Sequence, residues 1–380
     1  MFGKSMVCIA AIGVLLSPRF IRSSCELTEP PSRVRIYFIA ADEIVWDYAP
    51  TGQNDAMGRT FNQFENQYFV GSPTKPGRAC KKAVFREYTD ATFSKLQARP
   101  PDQQYLGILG PLIRAEVGDT IKVVFRNNAS RPYSMHPHGV MYEKNSEGAE
   151  YNDGTSGDDK ADDAVPPGST QTYIWAVPDR AGPGPNDPTS ILWLYHSHVD
   201  EMRDIASGLF GPIIITGRGK ARRDGTPTDI DKEFVTILIS INENESWYLS
   251  HETRDADNSL KAQPEVFGSP GPNGVAAGTF NLRSTINGYM FGNMPMMTMK
   301  KDERVRWYLA TLGDTNNFHT AHWHGNNVMR NGQRTDVIAL SPAQMETVDM
   351  VPDNPGTWLF HCHVSDHMNG GMVTRYQVNP

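Results

Sequence analysis

Leu192–His198 reads LWLYHSH and Trp358–His363 reads WLFHCH, and the organisation of the chain follows from this pair. Each closes an apolar, aromatic-rich run with an H-x-H pair. Successive side chains of a strand point to opposite faces, so H-x-H on a strand puts both imidazoles on one face. The text upstream is also duplicated. Gly107–Asn127 (GILGPLIRAEVGDTIKVVFRN), His136-Pro-His138-Gly139 and Gln171–Pro178 (QTYIWAVP) precede the first. Met294–Ala310 (MPMMTMKKDERVRWYLA), His322-Trp-His324-Gly325 and Glu346–Pro352 (ETVDMVP) precede the second. The runs alternate apolar and polar residues and favour β-branched and aromatic types, which predicts half-buried strands. The chain is therefore all-β and internally repeated. The polar, glycine-containing stretch Gly217–Asp231 (GRGKARRDGTPTDID) divides it into units at 33–217 and 232–380.

Ten of the eleven histidines fall in four clusters: His136/His138, His196/His198, His319/His322/His324 and His361/His363/His367. Imidazole is the commonest metal ligand, and four separate H-x-H pairs are not what scattered core or surface histidines produce. Cys362 stands between two histidines, with His367 five residues on and Met372 ten residues on. A thiolate, two imidazoles and a thioether make the blue-copper electron-transfer set, and His319 is the natural second imidazole. If 361–363 is a strand, Cys362 faces one side and His361 and His363 the other, so neighbouring residues would serve metals on opposite faces. Zinc is the competing metal, but its structural sites prefer cysteine-rich tetrahedra and this chain has four cysteines in all.

With these motifs in place the chain resembles the multicopper oxidases, which pair a type 1 blue copper with a trinuclear cluster held by eight histidines. The resemblance implies His319, Cys362, His367 and Met372 as type 1 ligands, and His136 and His322 as type 2 ligands. It implies His138, His196, His198, His324, His361 and His363 as ligands of the type 3 pair, and so one type 1, one type 2 and two type 3 coppers per chain. Arg33–Trp46 (RVRIYFIAADEIVW), Tyr105–Asp119 (YLGILGPLIRAEVGD), Ala129–Tyr133 (ASRPY) and Asp204–Pro212 (DIASGLFGP) are similar to the ceruloplasmin–hephaestin branch, which also includes the coagulation-factor A domains. The fold implied is two tandem cupredoxin domains, each a Greek-key β-barrel or sandwich.

Residue by residue, the resemblance implies further roles and some departures. Glu147 matches a carboxylate beside the trinuclear site that delivers protons to reduced oxygen. His136 to His196 is longer than His322 to His361, and the surplus falls mostly in the acidic loop Glu143–Asp163. There Lys144 (through its carbonyl), Asp159, Asp162 and Asp163 fall where ceruloplasmin-like domains bind calcium, though a solvated charge run is the plainer reading. Ser197 stands where a type 1 cysteine would, so the first domain holds no blue copper. Asp366 matches a carboxylate of the ferroxidase site, but Ser284 and Thr279 replace its expected histidine and glutamate. The disulfide cysteines expected near the H-x-H motif are missing. Relatives of this branch carry six such domains closed in a ring, in which the first and last bring the half-clusters together. A two-domain chain would rebuild that ring as a head-to-tail homotrimer.

Composition fits this reading. Hydrophobic residues make up 39% and aromatics 10%, and 33 glycines with 27 prolines suit a turn-rich β protein. A net charge of −7 argues against nucleic acid as a partner. Lys4 followed by Met6–Leu16 (MVCIAAIGVLL) is too short to span a bilayer and reads as a secretory signal over residues 1–24, which implies a secreted or periplasmic protein. Cys25 and Cys80 could then form a disulfide or remain free thiols. Five methionines, Met290, Met294, Met296, Met297 and Met299, read as adaptable core filling, with a Cu(I) thioether site as the sharper alternative.

The leading function is oxidation of a phenolic or metal-ion donor, such as Fe(II) or Cu(I), coupled to reduction of O2 to water. A copper nitrite reductase would need only three type 2 histidines and a blue copper in the first domain, which Ser197 excludes. A non-enzymatic module like the clotting-factor A domains degrades the histidine set that this chain keeps whole.

Overall fold

The computed structural model describes residues 32–71, 75–249, 280–313 and 318–380. The signal segment, Cys25 and Thr279 lie outside them. The first half contributes β1 (Val34–Asp47), β2 (Ala79–Tyr88), β3 (Ile113–Glu116), β4 (Thr120–Asn127), β5 (His136–Pro137), β6 (Thr170–Ala176), β7 (Ser190–His196) and β8 (Phe210–Thr216). The second contributes β9 (Lys232–Asn242), β10 (Leu282–Ile286), β11 (Met297–Lys300), β12 (Val305–Ala310), β13 (His319–Trp323), β14 (Val328–Arg330), β15 (Gln333–Thr335), β16 (Val337–Leu340), β17 (Met345–Met350), β18 (Gly356–Cys362) and β19 (Val373–Asn379). Short helices α1 (Gln63–Asn66), α2 (Glu201–Ser207) and α3 (Ser365–Asn369) complete the frame.

The sequence repeat is a topological repeat. The sheet β2-β1-β4-β6 of the first half returns as β10-β9-β12-β17, and β3-β8-β7-β5 returns as β11-β19-β18-β13. In both halves the opening strand runs parallel to the fourth, β1 to β4 and β9 to β12. The halves are two cupredoxin-type pairs of sheets, as the strand patterns predict. In β4, Ile121, Val123 and Phe125 are buried while their neighbours are only partly covered, the alternation expected of a half-buried strand.

β12 departs from that expectation: all six of its residues are buried. Its second face is covered by the first half. Tyr308 meets Ser190 of β7, hydroxyl to hydroxyl, at 2.6 Å. The buried Arg306 guanidinium donates to Asp349 (2.7 and 2.9 Å), Ser190 (2.8 Å), Thr189 (2.9 Å) and Asp229 (3.1 Å). Polar letters that read as solvent-facing thus serve the joint between the halves.

A second joint is a buried ion pair. Lys82 of β2 meets Glu243, just after β9, at 2.5 Å, donates to the Ala206 carbonyl at 2.7 Å and is fully buried. The Tyr48 hydroxyl donates to the same carboxylate. Removing one partner leaves a buried charge unpaired, so Lys82→Ala should lower stability by about 3–5 kcal/mol. A denaturant midpoint unchanged from wild type would contradict the pairing.

Among the described residues Cys80 is a buried free thiol, pushed up to about 12 chiefly by burial. Met290, Met294, Met297 and Met299 are buried in the core, which is the core-filling arrangement, while Met296 is exposed. Among the described residues no helix is long and apolar enough to cross a membrane.

Candidate metal centres

β18 delivers its residues to two faces, as alternation requires. On one, the Cys362 sulfur lies 3.9 Å from His319 Nδ1 and 3.7 Å from His367 Nδ1, and the two imidazole rings are 4.7 Å apart. His319 opens β13, His367 sits on α3, and the fully buried Met372 lies opposite Cys362, whose N–H donates to its carbonyl at 3.1 Å. Burial pushes the Cys362 thiol up. Contacts with His319 and His367 and the N–H groups of Thr320 and Val364 more than offset it, holding the thiol at about 6. A thiolate available at neutral pH beside two imidazoles and a thioether suits blue copper.

On the other face, His361 Nε2 lies 3.0 Å from His324 Nε2, with His322 and His363 rings adjacent. The first half repeats this: His138 Nε2 lies 3.0 Å from His196 Nε2, and His136 and His198 flank them. In each half, two histidines donate Nδ1–H to a backbone carbonyl. His136 bonds Glu147 (2.8 Å), His196 bonds Ser197 (3.1 Å), His322 bonds Asp336 (2.9 Å) and His361 bonds Cys362 (2.8 Å). A carbonyl only accepts, so Nδ1 carries the proton and Nε2 is left free to bind metal. Burial lowers His138 to about 4 and His196 to about 3, keeping both neutral. Among the described residues, no ring of one cluster stacks on a ring of the other.

The glycine closing each H-x-H-G motif has a positional reason. Gly139 (φ +76°) and Gly325 (φ +73°) lie so close to the Trp193 and Trp358 rings that a Cβ would fall 2.2 and 2.4 Å from ring atoms. Each indole comes from the strand that also carries the next histidine pair, so the glycine allows the two motifs to close on each other.

Two sequence-family models described as multicopper oxidase match residues 104–220 and 267–380, together more than half of the chain. The chain belongs to the multicopper oxidase family. It is 41% identical to the human ferroxidase HEPHL1 over 91% of this chain and 29% of that protein. It is 40% identical to rat hephaestin (94% and 30%) and 36% identical to human ceruloplasmin (90% and 30%). The chain thus spans under a third of the length of these relatives. Among solved structures it is similar in fold to the multicopper oxidase mgLAC (TM-score 0.55, 19% identity, 92% of this chain and 86% of that one). It is likewise similar to a blue copper oxidase from Nitrosomonas europaea (TM-score 0.54, 20% identity, 92% and 86%).

In this multicopper oxidase the first-half counterpart of the thiolate site is filled by hydrogen bonds. Ser197 donates to Asp204 at 2.6 Å and accepts from the Ser134 N–H at 3.1 Å, while Trp247 donates to the other Asp204 oxygen at 2.9 Å. Tyr133 stands where His319 stands in the second half. Leu209 lies opposite Ser197, bonded through its carbonyl as Met372 is to Cys362.

The remaining candidates are placed as follows. The Glu147 carboxylate is held by Lys144 (2.5 Å) and the Tyr151 hydroxyl (3.1 Å), while its carbonyl orients His136. In the acidic loop Asp159 is exposed, whereas Asp162 and Asp163 are buried. Lys160 bridges Asp153 and Asp163 at 2.9 and 3.2 Å. Burial raises Asp162 to about 6; one of its oxygens accepts from the Gly148 N–H at 2.7 Å and the other is buried without a partner. Asp366 is exposed on α3, and Ser284 is buried. One residue escaped the sequence reading. The Glu201 carboxylate lies 3.7 Å from His198 Nε2 and 4.0 Å from His196 Nε2. Its position three residues after the H-x-H pair, at the start of a helix, is the signal that could have found it.

Proposed function

We propose that the chain is a secreted or periplasmic two-domain multicopper oxidase, with cupredoxin domains at 33–217 and 232–380. His319, Cys362, His367 and Met372 would hold one type 1 copper. His136 and His322 would hold a type 2 copper, and His138, His196, His198, His324, His361 and His363 a type 3 pair. Bound there, the coppers supply one-electron oxidation of a donor at the type 1 site and four-electron reduction of O2 to water at the cluster.

The observation that carries this reading is the two-faced strand end. Cys362 enters one ligand set, and His361, bonded through Nδ1 to the Cys362 carbonyl, enters the other. The protein fixes ligand tautomers, keeps the imidazoles neutral and ties the two sets by one peptide unit. Copper loading should saturate at one type 1, one type 2 and two type 3 ions per chain, counted by metal analysis and electron paramagnetic resonance. Saturation at a single ion would overturn the assignment.

Glu147 is proposed to supply protons during O2 reduction, its carboxylate poised by Lys144 and Tyr151. Glu147→Gln should keep the blue colour while slowing reoxidation of the reduced enzyme by about 100-fold, a usual scale for a positioned acid. Stopped-flow reoxidation at the wild-type rate across pH would remove Glu147 from that role.

Calcium is proposed for the loop of Lys144, Asp159, Asp162 and Asp163. The unpartnered, buried Asp162 oxygen supports a hard cation there. We further propose a homotrimer whose clusters form between neighbouring chains. Ferroxidase activity is the second reading, favoured by the named activity of the relative HEPHL1 and by Asp366 beside His367. Ser284 in place of the expected histidine speaks against it.

A further inference from the structure

Among the described residues, two carboxylates approach the H-x-H imidazoles, and they do so from opposite sides of the rings. Asp336 lies 3.8 Å from His322 Nδ1, the nitrogen whose proton goes to the Asp336 carbonyl. That carboxylate stands behind the ring, away from the nitrogen left for metal. Glu201 comes from the front. Its oxygens lie 3.7 Å from His198 Nε2 and 4.0 Å from His196 Nε2. His196 gives its Nδ1 proton to the Ser197 carbonyl, so Nε2 is its metal-binding atom. Two ligand atoms each about 2 Å from one ion stand roughly 3–4 Å apart. Glu201 holds that separation from either imidazole.

The surroundings leave its carboxylate uncommitted. Glu201 opens α2 directly after Asp200, whose side chain accepts from the Arg203 N–H at 3.3 Å and caps the helix. The Arg203 guanidinium pairs with Asp200 at 3.6 Å and lies over the Trp247 ring. Cap and nearest cation thus serve each other. Among the described residues, the Glu201 carboxylate meets no charged or hydrogen-bonding group other than the two imidazoles.

Exposure falls in order along the three side chains: 49% for Glu201, 35% for His198 and 2% for His196. His196 Nε2 in turn stands 3.0 Å from His138 Nε2. The series runs from solvent to the buried pair, and the carboxylate reaches both imidazoles of its own motif. An oxygen donor followed by imidazoles suits Cu(II), which takes nitrogen and oxygen ligands, better than Cu(I), which prefers sulfur.

Resting on the oxidase reading above, we propose that Glu201 is the entry ligand for copper at the first-half cluster. With His198 it captures Cu(II) from solvent and hands it, by ligand exchange without change of oxidation state, to His196 and His138. The carboxylate serves loading; imidazoles hold the filled cluster.

The test adds Cu(II) to the copper-free chain in a non-coordinating buffer. Aliquots are quenched with EDTA at intervals, desalted and assayed for copper per chain, while growth of the blue band reports the type 1 site in the same sample. Glu201→Gln keeps the size of an exposed side chain and removes its charge. It should fill the cluster about tenfold more slowly, the low end of what electrostatic capture gives. The blue band should grow at the wild-type rate, and the final copper content should match wild type. Glu201→Asp, charged but shorter, should fall between the two. Cluster filling at the wild-type rate in Glu201→Gln would overturn the proposal. So would equal slowing of the blue band and the cluster, which would make Glu201 a general charge effect. A lower final copper content in that variant would make Glu201 a resident ligand and equally sink the loading role. Wild-type protein that stays colourless and takes up no more than one copper per chain would instead overturn the oxidase reading itself.

Discussion

Cys362→Ser should yield a folded, colourless protein whose turnover with any donor falls below about one thousandth of wild type, more than ~4 kcal/mol of barrier. The fold is expected to survive because the chain already contains the control. At the corresponding position of the first half, Ser197 sits in the same strand context and its N–H bonds the Leu209 carbonyl, as Cys362 bonds Met372. Serine is close to cysteine in size, so the buried site loses little packing. What it loses is the ionisable sulfur: a hydroxyl flanked by His319 and His367 cannot supply the copper–thiolate bond that gives the colour. Because His136 and His322 are untouched, the type 2 resonance should persist. Retained blue absorption, or retained turnover, would mean that the thiolate set is not the point of electron entry.

Sequence alone reached far for this fold and site because both rest on short periods. The strand runs are visible as alternation, and the four H-x-H pairs are visible as spacing. Ser197 could be read as the loss of a thiolate site from one letter. The letters could not say what replaces it, since Asp204 and Trp247 reach Ser197 through folding. β12 illustrates the limit from packing: Arg306 and Tyr308 look solvent-facing by alternation, yet the other half covers them. The seam between the two halves illustrates the limit from distance. Phe64 and Asp366 are some three hundred positions apart in the chain, and no local pattern ties an aromatic segment of the first half to the helix after Cys362. In the acidic loop, the resemblance suggested a cation, but Lys144 and Lys160 already neutralise part of the charge, which only their geometry reveals.

The two histidine clusters have the same internal geometry, and that sameness bears on assembly. Each brings one pair of imidazoles to 3.0 Å between Nε2 atoms and leaves two others flanking it. Neither is a complete set for three metals. His363 is exposed, and His198 is partly so, as expected of ligands awaiting a partner surface. Within the chain the halves are joined through Ser190–Tyr308, Arg306 and Lys82–Glu243, none of which involves the H-x-H residues. In the proposed homotrimer, a first-half cluster would meet the second-half cluster of a neighbouring chain. A contact between unlike surfaces can close as a ring, and three copies would bring six domains together. The decisive measurement mixes two inactive variants, His138→Ala and His324→Ala, under conditions that allow subunit exchange. The first keeps an intact second-half cluster and the second an intact first-half cluster. Random mixing would set those two surfaces together at about one interface in four, so roughly a quarter of wild-type activity should return. Each variant alone should stay inactive, and the mixture should elute as a trimer. A mixture that stays inactive after proven exchange would overturn the shared cluster, and elution as an active wild-type monomer would place both half-clusters of one chain against each other.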